Sequence, residues 1–357
     1  MARDRVTRRD FLRDSALVAA GAAAGLGLGR HPALGADVPD EVKRTRSYNP
    51  AMEYRRLGKT GLRVSAVCLG GHWKRIDKVL AKGDKDAFAA NRRAVVHHCL
   101  DLGINYVDAC MDSEILAYAK ALGGRREEMY FGYSWHCWEP RAREWRTAAK
   151  LIQGFEEGLK RAGLEYADLW RITMYERGSR HTDAEADEMA KALDLARKQG
   201  KARFTGFSSH DRPWIEKLIR TYPDQVQAVC TPYTAASMER PTDSLFETVR
   251  KFDVGIFGIK PFASNSLFKG DSSPESPTAE EDDRRARLAI RYILSNPAVT
   301  APIPGLISTH QVDNMAAAVK ERRELDLKEK AELRRAAREM MANLPPDYQW
   351  LKDWQYV

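Results

Sequence analysis

From Arg63 onward the chain alternates short β-rich runs with longer amphipathic ones, and this alternation constrains the fold more than any single motif. The short runs are Val64 to Leu69, Asn105 to Cys110, Met129 to Trp135, Asp168 to Met174, Ala202 to Phe207, Gln227 to Pro232, Val254 to Lys260 and Thr300 to Pro304. Helix-period segments begin between them near Asp86, Ser113, Glu144, Asp183, Arg212, Asp243, Asp283 and Ser308. Several open on Asp or Ser, whose side-chain oxygens cap free backbone amides. Each parallel strand needs a crossover helix to reach the next, so eight such repeats predict a closed (β/α)8 barrel of the TIM type, an α/β fold. An open doubly wound sheet competes, but no run is followed by the G-x-G-x-x-G turn that would hold a dinucleotide there. The barrel is expected to span 51–323 and to be preceded by a linker at 37–50. A Ser-, Pro- and acid-rich loop, 264–282, follows the seventh strand. Segment 324–357 adds a charged helix and an aromatic tail, with Tyr348, Trp350, Trp354 and Tyr356 expected to pack on the barrel.

The first thirty-six residues follow a different logic. Thr7-Arg8-Arg9-Asp10-Phe11-Leu12-Arg13 precedes an apolar, Gly- and Ala-rich run from Ala16 to Gly29, and small residues follow at Ala33, Gly35 and Ala36. A charged stretch, an apolar run and a small-residue cleavage site in that order predict a twin-arginine signal peptide at 1–36, and with it the twin-arginine export machinery as partner. That route carries folded proteins, which places the mature chain in the periplasm or its equivalent. The formal charge of +8 becomes +5 once the signal is removed, and the basic residues are scattered, so no nucleic-acid partner is indicated. No later run has the length of a membrane span, and the mature protein is not expected to insert stably. Five cysteines, Cys68, Cys99, Cys110, Cys137 and Cys230, are an odd number with no C-x-x-C spacing, and most are expected to be buried thiols.

In barrels of this kind, reactive residues come from the C-terminal ends of the strands. That rule selects His72, Trp73, Asp108, Cys110, Ser134, His136, Thr173, Ser208, His210, Gln227, Tyr233 and Lys260.

Four segments together resemble the aldo/keto reductase family: Tyr54-Arg55-Arg56-Leu57-Gly58-Lys59-Thr60-Gly61-Leu62, Leu69-Gly70-Gly71-His72-Trp73-Lys74, Gly103-Ile104-Asn105-Tyr106-Val107-Asp108, and Ala289 to Pro297. The resemblance implies a nicotinamide cofactor, NAD(P)H, extended across the barrel mouth. It implies Ser208 and Gln227 as carboxamide contacts, Tyr233 as the ring stacked on the nicotinamide, and Lys260 near the pyrophosphate, while Trp73 falls where the family has a pocket-lining aromatic. Where NADP-preferring members place a lysine, a serine and an arginine for the 2'-phosphate, this chain has Gly305, Leu306 and Gln311, so a preference for NADPH is not expected.

The family reduces carbonyls with a tyrosine acid, a lysine, an aspartate and a histidine, and here only the aspartate survives, as Asp108. The segment Ala109 to Glu114 is too short to hold the tyrosine loop, the lysine position reads Ser134, and the histidine position reads Thr173. One reading keeps hydride transfer to a small-molecule carbonyl or alcohol, with His136 as proton carrier and Asp108 tuning it. Ser134 and Thr173 then line the substrate pocket. A second reading is a catalytically inactive binding module, with Trp73, Trp135, Trp138 and Trp170 offering rings to a flat ligand. A third is a metal site drawn from His72, Asp108, Cys110, His136 and His210.

Overall fold

The computed structural model describes residues 38–352, apart from 74–75, 77–79, 176, 239–243 and 274. The signal segment 1–36, Trp354 and Tyr356 lie outside the described residues. A hairpin of β1 (Tyr54–Arg56) and β2 (Arg63–Ser65) comes first, with Leu57, Leu62 and Val64 buried in the interior of the barrel that follows. Seven parallel strands then pair in sequence order: β3 (Tyr106–Ala109), β4 (Tyr130–Tyr133), β5 (Ala167–Thr173), β6 (Ala202–Ser208), β7 (Ala228–Pro232), β8 (Gly255–Ile259) and β9 (Ala301–Ile303).

The eighth stave is the extended segment Ala66–Gly70. On one side Leu69 N donates to Tyr106 O and Asp108 N to Leu69 O; on the other Cys68 N donates to Pro302 O and Gly70 N to Pro304 O. These bonds join β9 back to β3 and close the ring. The expected first strand, Val64 to Leu69, is therefore split, its beginning belonging to the hairpin. Asn105 explains the split. Its Oδ1 accepts from Ser65 N at 2.8 Å and its Nδ2 donates to Arg63 O at 3.0 Å, so a side chain satisfies backbone groups that a ladder would otherwise pair.

Helices α1 (Lys85–Asp101), α2 (Asp112–Leu122), α3 (Ala148–Ala162), α4 (Asp183–Lys198), α5 (Arg212–Thr221), α6 (Ser244–Phe252), α7 (Ala279–Leu294) and α8 (Thr309–Lys320) surround the barrel. Asp84, Thr147, Thr182, Asp211 and Ser308 cap their N-termini through side-chain oxygens, and Thr182 forms a full capping box with Glu185. The helix expected near Glu144 starts at Ala148, because a short 3-10 turn, Arg143–Trp145, precedes its Thr147 cap. The final α9 (Leu327–Ala342) packs on α7, where Arg284 pairs with Glu332 and Arg291 with Glu329.

Strand alternation divides the buried residues into two sets. Tyr106, Tyr130, Leu169, Phe204, Ala228, Cys230, Phe257, Ala301 and Ile303 fill the barrel interior. Their neighbours, such as Val107, Phe131, Trp170, Phe207 and Val229, pack outward under the helices. Every strand is thus covered on both faces, which is why its sequence is nearly continuous in apolar residues. Cys68, Cys99 and Cys230 are buried, Cys110 is half-buried and Cys137 is exposed; all five are free thiols.

Candidate active site

A cavity of about 770 Å³ opens at the C-terminal ends of the strands. It has the size of a small-molecule site and lies where barrels of this architecture place their chemistry. Trp73, His136, Thr173, Ser208 and Lys260, all expected at the site, line it. His72, Lys260, Ser264 and Asn265 on its wall have positive φ values between 58° and 68°. Backbone in that region costs about 1–3 kcal/mol per residue and tends to gather at functional sites.

The interior-facing set on β5 is Leu169, Arg171 and Thr173, and Arg171 decides the electrostatics of the floor. Its Nε donates to Asp108 Oδ1 at 2.7 Å and its Nη2 donates to Asp108 Oδ2, a bidentate pair buried on both sides. Gly132 makes room for this arrangement, since a Cβ there would stand 2.1 Å from the Tyr106 hydroxyl and 2.9 Å from Asp108 Oδ1. Arg171 Nη1 donates to Thr173 Oγ1 at 2.9 Å, Thr173 and Ser134 share a hydrogen bond of 2.7 Å, and Ser134 Oγ donates to Glu139 Oε2 at 2.5 Å. Glu139 accepts three further bonds, from Thr173 N, Trp135 N and Trp170 Nε1. Complete burial pushes its carboxyl above the ordinary range, with the Ser134 hydroxyl bond opposing. Ser134 is therefore linked to the site from beneath the cavity surface.

These contacts correct the expected partnership of Asp108 with His136. Asp108 is engaged by Arg171, whereas His136 Nδ1 bonds the carbonyl of Cys110 at 2.9 Å, with Cys137 Sγ 3.4 Å from its Nε2. A carbonyl can only accept, so Nδ1 carries hydrogen, and Nε2 is the nitrogen beside the Cys137 thiol. Arg171 and Glu139 were not among the expected site residues. Period-two alternation from Leu169 would have pointed Arg171 inward; Glu139 sits in a loop and carried no signal.

Two expected cofactor contacts face elsewhere. Ala228 and Cys230 of β7 point into the barrel, so Gln227 and Tyr233, at odd positions, point out. Gln227 lies at the opposite end of the strand, where its Oε1 accepts from Thr205 N at 3.1 Å. Tyr233 packs edge-on against Phe246 of α6 and its hydroxyl accepts from Asn296 Nδ2 at 3.1 Å. Of the four tryptophans considered for stacking, Trp73 alone lines the cavity. Trp135 stacks on Trp138 at 4.5 Å, and Trp170 on Phe155 at 4.1 Å, in the helix layer.

The expected metal set is likewise rearranged. His72 and Cys110 meet, with Glu114 of α2 as the third member; Asp108 is held by Arg171, His136 by a carbonyl, and His210 lies under Trp350. The Cys110 sulfur and the Glu114 carboxylate together push the His72 imidazole up to about 11. Burial drives His210 well below its ordinary value, with Lys260 and Arg141 adding to the effect.

Tyr348 and Trp350, two of the four tail aromatics, line the rim. The 3-10 helix Pro346–Leu351 places Trp350 on His210, rings 4.4 Å apart and 18° from parallel, and Lys260 Nζ donates to the Tyr348 hydroxyl at 3.3 Å. At the far end of the cavity, toward α7 and α8, the described lining carries Glu280, Asp282 and Asp283 and no lysine or arginine. Gln311, at the position where NADP-preferring members are expected to place an arginine, accepts from Ile307 N at 2.9 Å.

The profile of the aldo/keto reductase family matches residues 69–338. The chain belongs to that family. L-galactose dehydrogenase of Arabidopsis thaliana is 25% identical over 292 residues, covering 76% of this chain and 89% of the plant protein. L-glyceraldehyde 3-phosphate reductase of Escherichia coli K12 is 27% identical over 233 residues, 60% of this chain and 63% of the relative. Among solved structures, an aldo-keto reductase of Bacillus halodurans superposes with a TM-score of 0.58 at 20% identity, over 80% of this chain and 96% of that one. An aldo/keto reductase of Klebsiella pneumoniae in complex with NADP and acetate does so with a TM-score of 0.59 at 19% identity, over 83% and 96%. These superpositions carry the barrel fold.

Proposed function

We propose that this chain is an oxidoreductase that interconverts a small carbonyl compound and its alcohol, with His136 carrying the proton. The observation that carries this reading is the mouth itself: a half-buried imidazole with one nitrogen anchored, beside an arginine–carboxylate pair in a cavity of substrate size. A nicotinamide cofactor, when bound, supplies or accepts the hydride. The residues fit such a group in part. Ser208 offers a hydroxyl to the carboxamide, and Lys260 with the N-terminus of α8 offers positive charge to a pyrophosphate. Three carboxylates at the far end oppose a 2'-phosphate, which favours NADH over NADPH. Arg171 keeps a fixed positive charge below the reacting oxygen, and Thr173 passes its orientation to that charge. We further infer from Arg8-Arg9 and the apolar run after them that the protein is exported folded, with its cofactor loaded beforehand.

Protein recovered after native export is the sample that tests this. Released nucleotide is measured by absorbance and mass, and NADH and NADPH are titrated separately. Stoichiometric NAD(H), tighter binding of NADH, and a turnover loss of about 10²- to 10⁴-fold in His136→Ala support the reading. Unchanged turnover in that variant removes His136 from the role. No nucleotide binding at all makes the inactive binding module the better account.

A further inference from the structure

His72 follows the eighth stave, Cys110 follows β3 and Glu114 lies in the first turn of α2, and all three line the mouth cavity. One ligand atom from each lies within 4.8 Å of the others, a grouping found at this one place among the described residues. His72 Nδ1 stands 3.1 Å from Glu114 Oε1 and 3.7 Å from Cys110 Sγ. In tetrahedral zinc the bonds to nitrogen and oxygen are about 2.0–2.1 Å and those to sulfur about 2.3 Å, so N···O edges come to about 3.3 Å and N···S edges to about 3.5 Å. The observed separations fall close to both.

We propose that His72, Cys110 and Glu114 bind one divalent transition metal ion, zinc by preference, leaving a coordination position open to the cavity. The competing arrangement of the same three residue types is a nucleophilic triad, in which the carboxylate and the thiol sit on opposite imidazole nitrogens. Here the sulfur stands 3.7 Å from Nδ1 and 3.9 Å from Nε2 while the carboxylate faces Nδ1, so thiol and carboxylate do not take opposite nitrogens. One imidazole, one thiolate and one carboxylate suit zinc; magnesium and calcium take oxygen sets.

The ligands are also held in place. Glu114 is buried and accepts the backbone amides of His72 and of Cys110, the latter at 2.9 Å. A Cβ at Gly71 would lie 2.1 Å from the Glu114 carboxyl carbon, so the close approach depends on glycine. Such outer contacts fix ligand orientation. Only Met111, Asp112 and Ser113 separate Cys110 from Glu114, which keeps α2's first turn against the stave. An open metal position there would accept a carbonyl or hydroxyl oxygen, and that use rests on the oxidoreductase reading above, whereas metal binding does not.

The test is direct titration of the full mature protein with Co2+ and Zn2+ after chelator dialysis under reducing conditions. One equivalent of Co2+ with a thiolate-to-metal charge-transfer band is expected in the wild type. Cys110→Ser should lose the band, and both it and His72→Asn should weaken Zn2+ binding by at least about tenfold. Asparagine tolerates the positive φ of 60° at His72, and thermal melting checks that each variant is folded. Cys137→Ser, an exposed thiol beside His136, should bind as the wild type does. No stoichiometric uptake, a band that survives Cys110→Ser, or one lost in Cys137→Ser overturns the site. Metal uptake without carbonyl turnover would sink the oxidoreductase reading and leave the site standing; turnover without uptake would do the reverse.

Discussion

Asp168 and Asp108 are both buried carboxylates met by arginine on the same barrel, one at its N-terminal end and one at its mouth. Asp168 accepts from Arg46, Arg126, Arg203 and the Phe131 amide, at 2.8–3.0 Å, so both oxygens are filled, and Arg46 and Arg126 go on to Met129 O and Tyr166, away from the cavity. Asp108 accepts from Arg171, whose remaining nitrogen starts a chain through Thr173 and Ser134 to Glu139 along the cavity floor. Identical chemistry therefore serves closure at one end and presentation of charge at the other. What separates them is whether a polar partner is left facing open space.

The largest expected effect is at the closed end. Asp168→Ala leaves three arginines around an empty position and should cost about 3–5 kcal/mol of unfolding free energy, while the folded fraction binds ligand as before. At the mouth, Arg171→Met should cost a comparable amount because Asp108 is left buried and unpaired. Here ligand binding is expected to fall as well, and the double variant Asp108→Leu with Arg171→Met should regain stability in denaturant unfolding without regaining binding. If the double variant binds normally, the pair belongs with Asp168 as a purely structural feature.

The two ends also differ in their response to pH. The arginines around Asp168 overcome its burial and hold its carboxyl well below the usual range. Its stabilising contribution is thus present above the unfolded value of about 3.9 and is lost as pH falls below it. Acid unfolding should show this drop in the wild type and a shallower one in Asp168→Asn. Glu139 has the opposite sign, since burial raises it. Stability should decline as pH rises from about 4.3 toward the raised folded value, and Glu139→Gln should flatten that slope.

Much of the architecture was legible because strand and helix periods differ and each strand needs its crossover. The mouth was legible in part: Trp73, His136, Thr173, Ser208 and Lys260 line the cavity as the strand-end rule requires. Gln227 and Tyr233 were misplaced because motif position outweighed parity; Ala228 and Cys230 occupy the inward face of the same strand, and their neighbours must turn out. Arg171 was hidden by the expectation of lysine and histidine at set positions, although it shares a face with Leu169 and Thr173. Glu114 became visible only once the first turn of α2 was set against the eighth stave. The smallest effects follow from parity. Tyr233→Phe should lose about 1 kcal/mol with its bond to Asn296, and Gln227→Ala should leave NADH affinity unchanged in titration.

The stacking of Trp350 on His210 has a consequence in time rather than in space. Synthesis runs from the N-terminus, so the ring cannot close until Pro302 and Pro304 have been made to meet Cys68 and Gly70, and the rim waits for Tyr348 and Trp350. On the ribosome the cavity floor is laid down long before its edge. Any ligand held by that edge is enclosed only after Trp350 has been made.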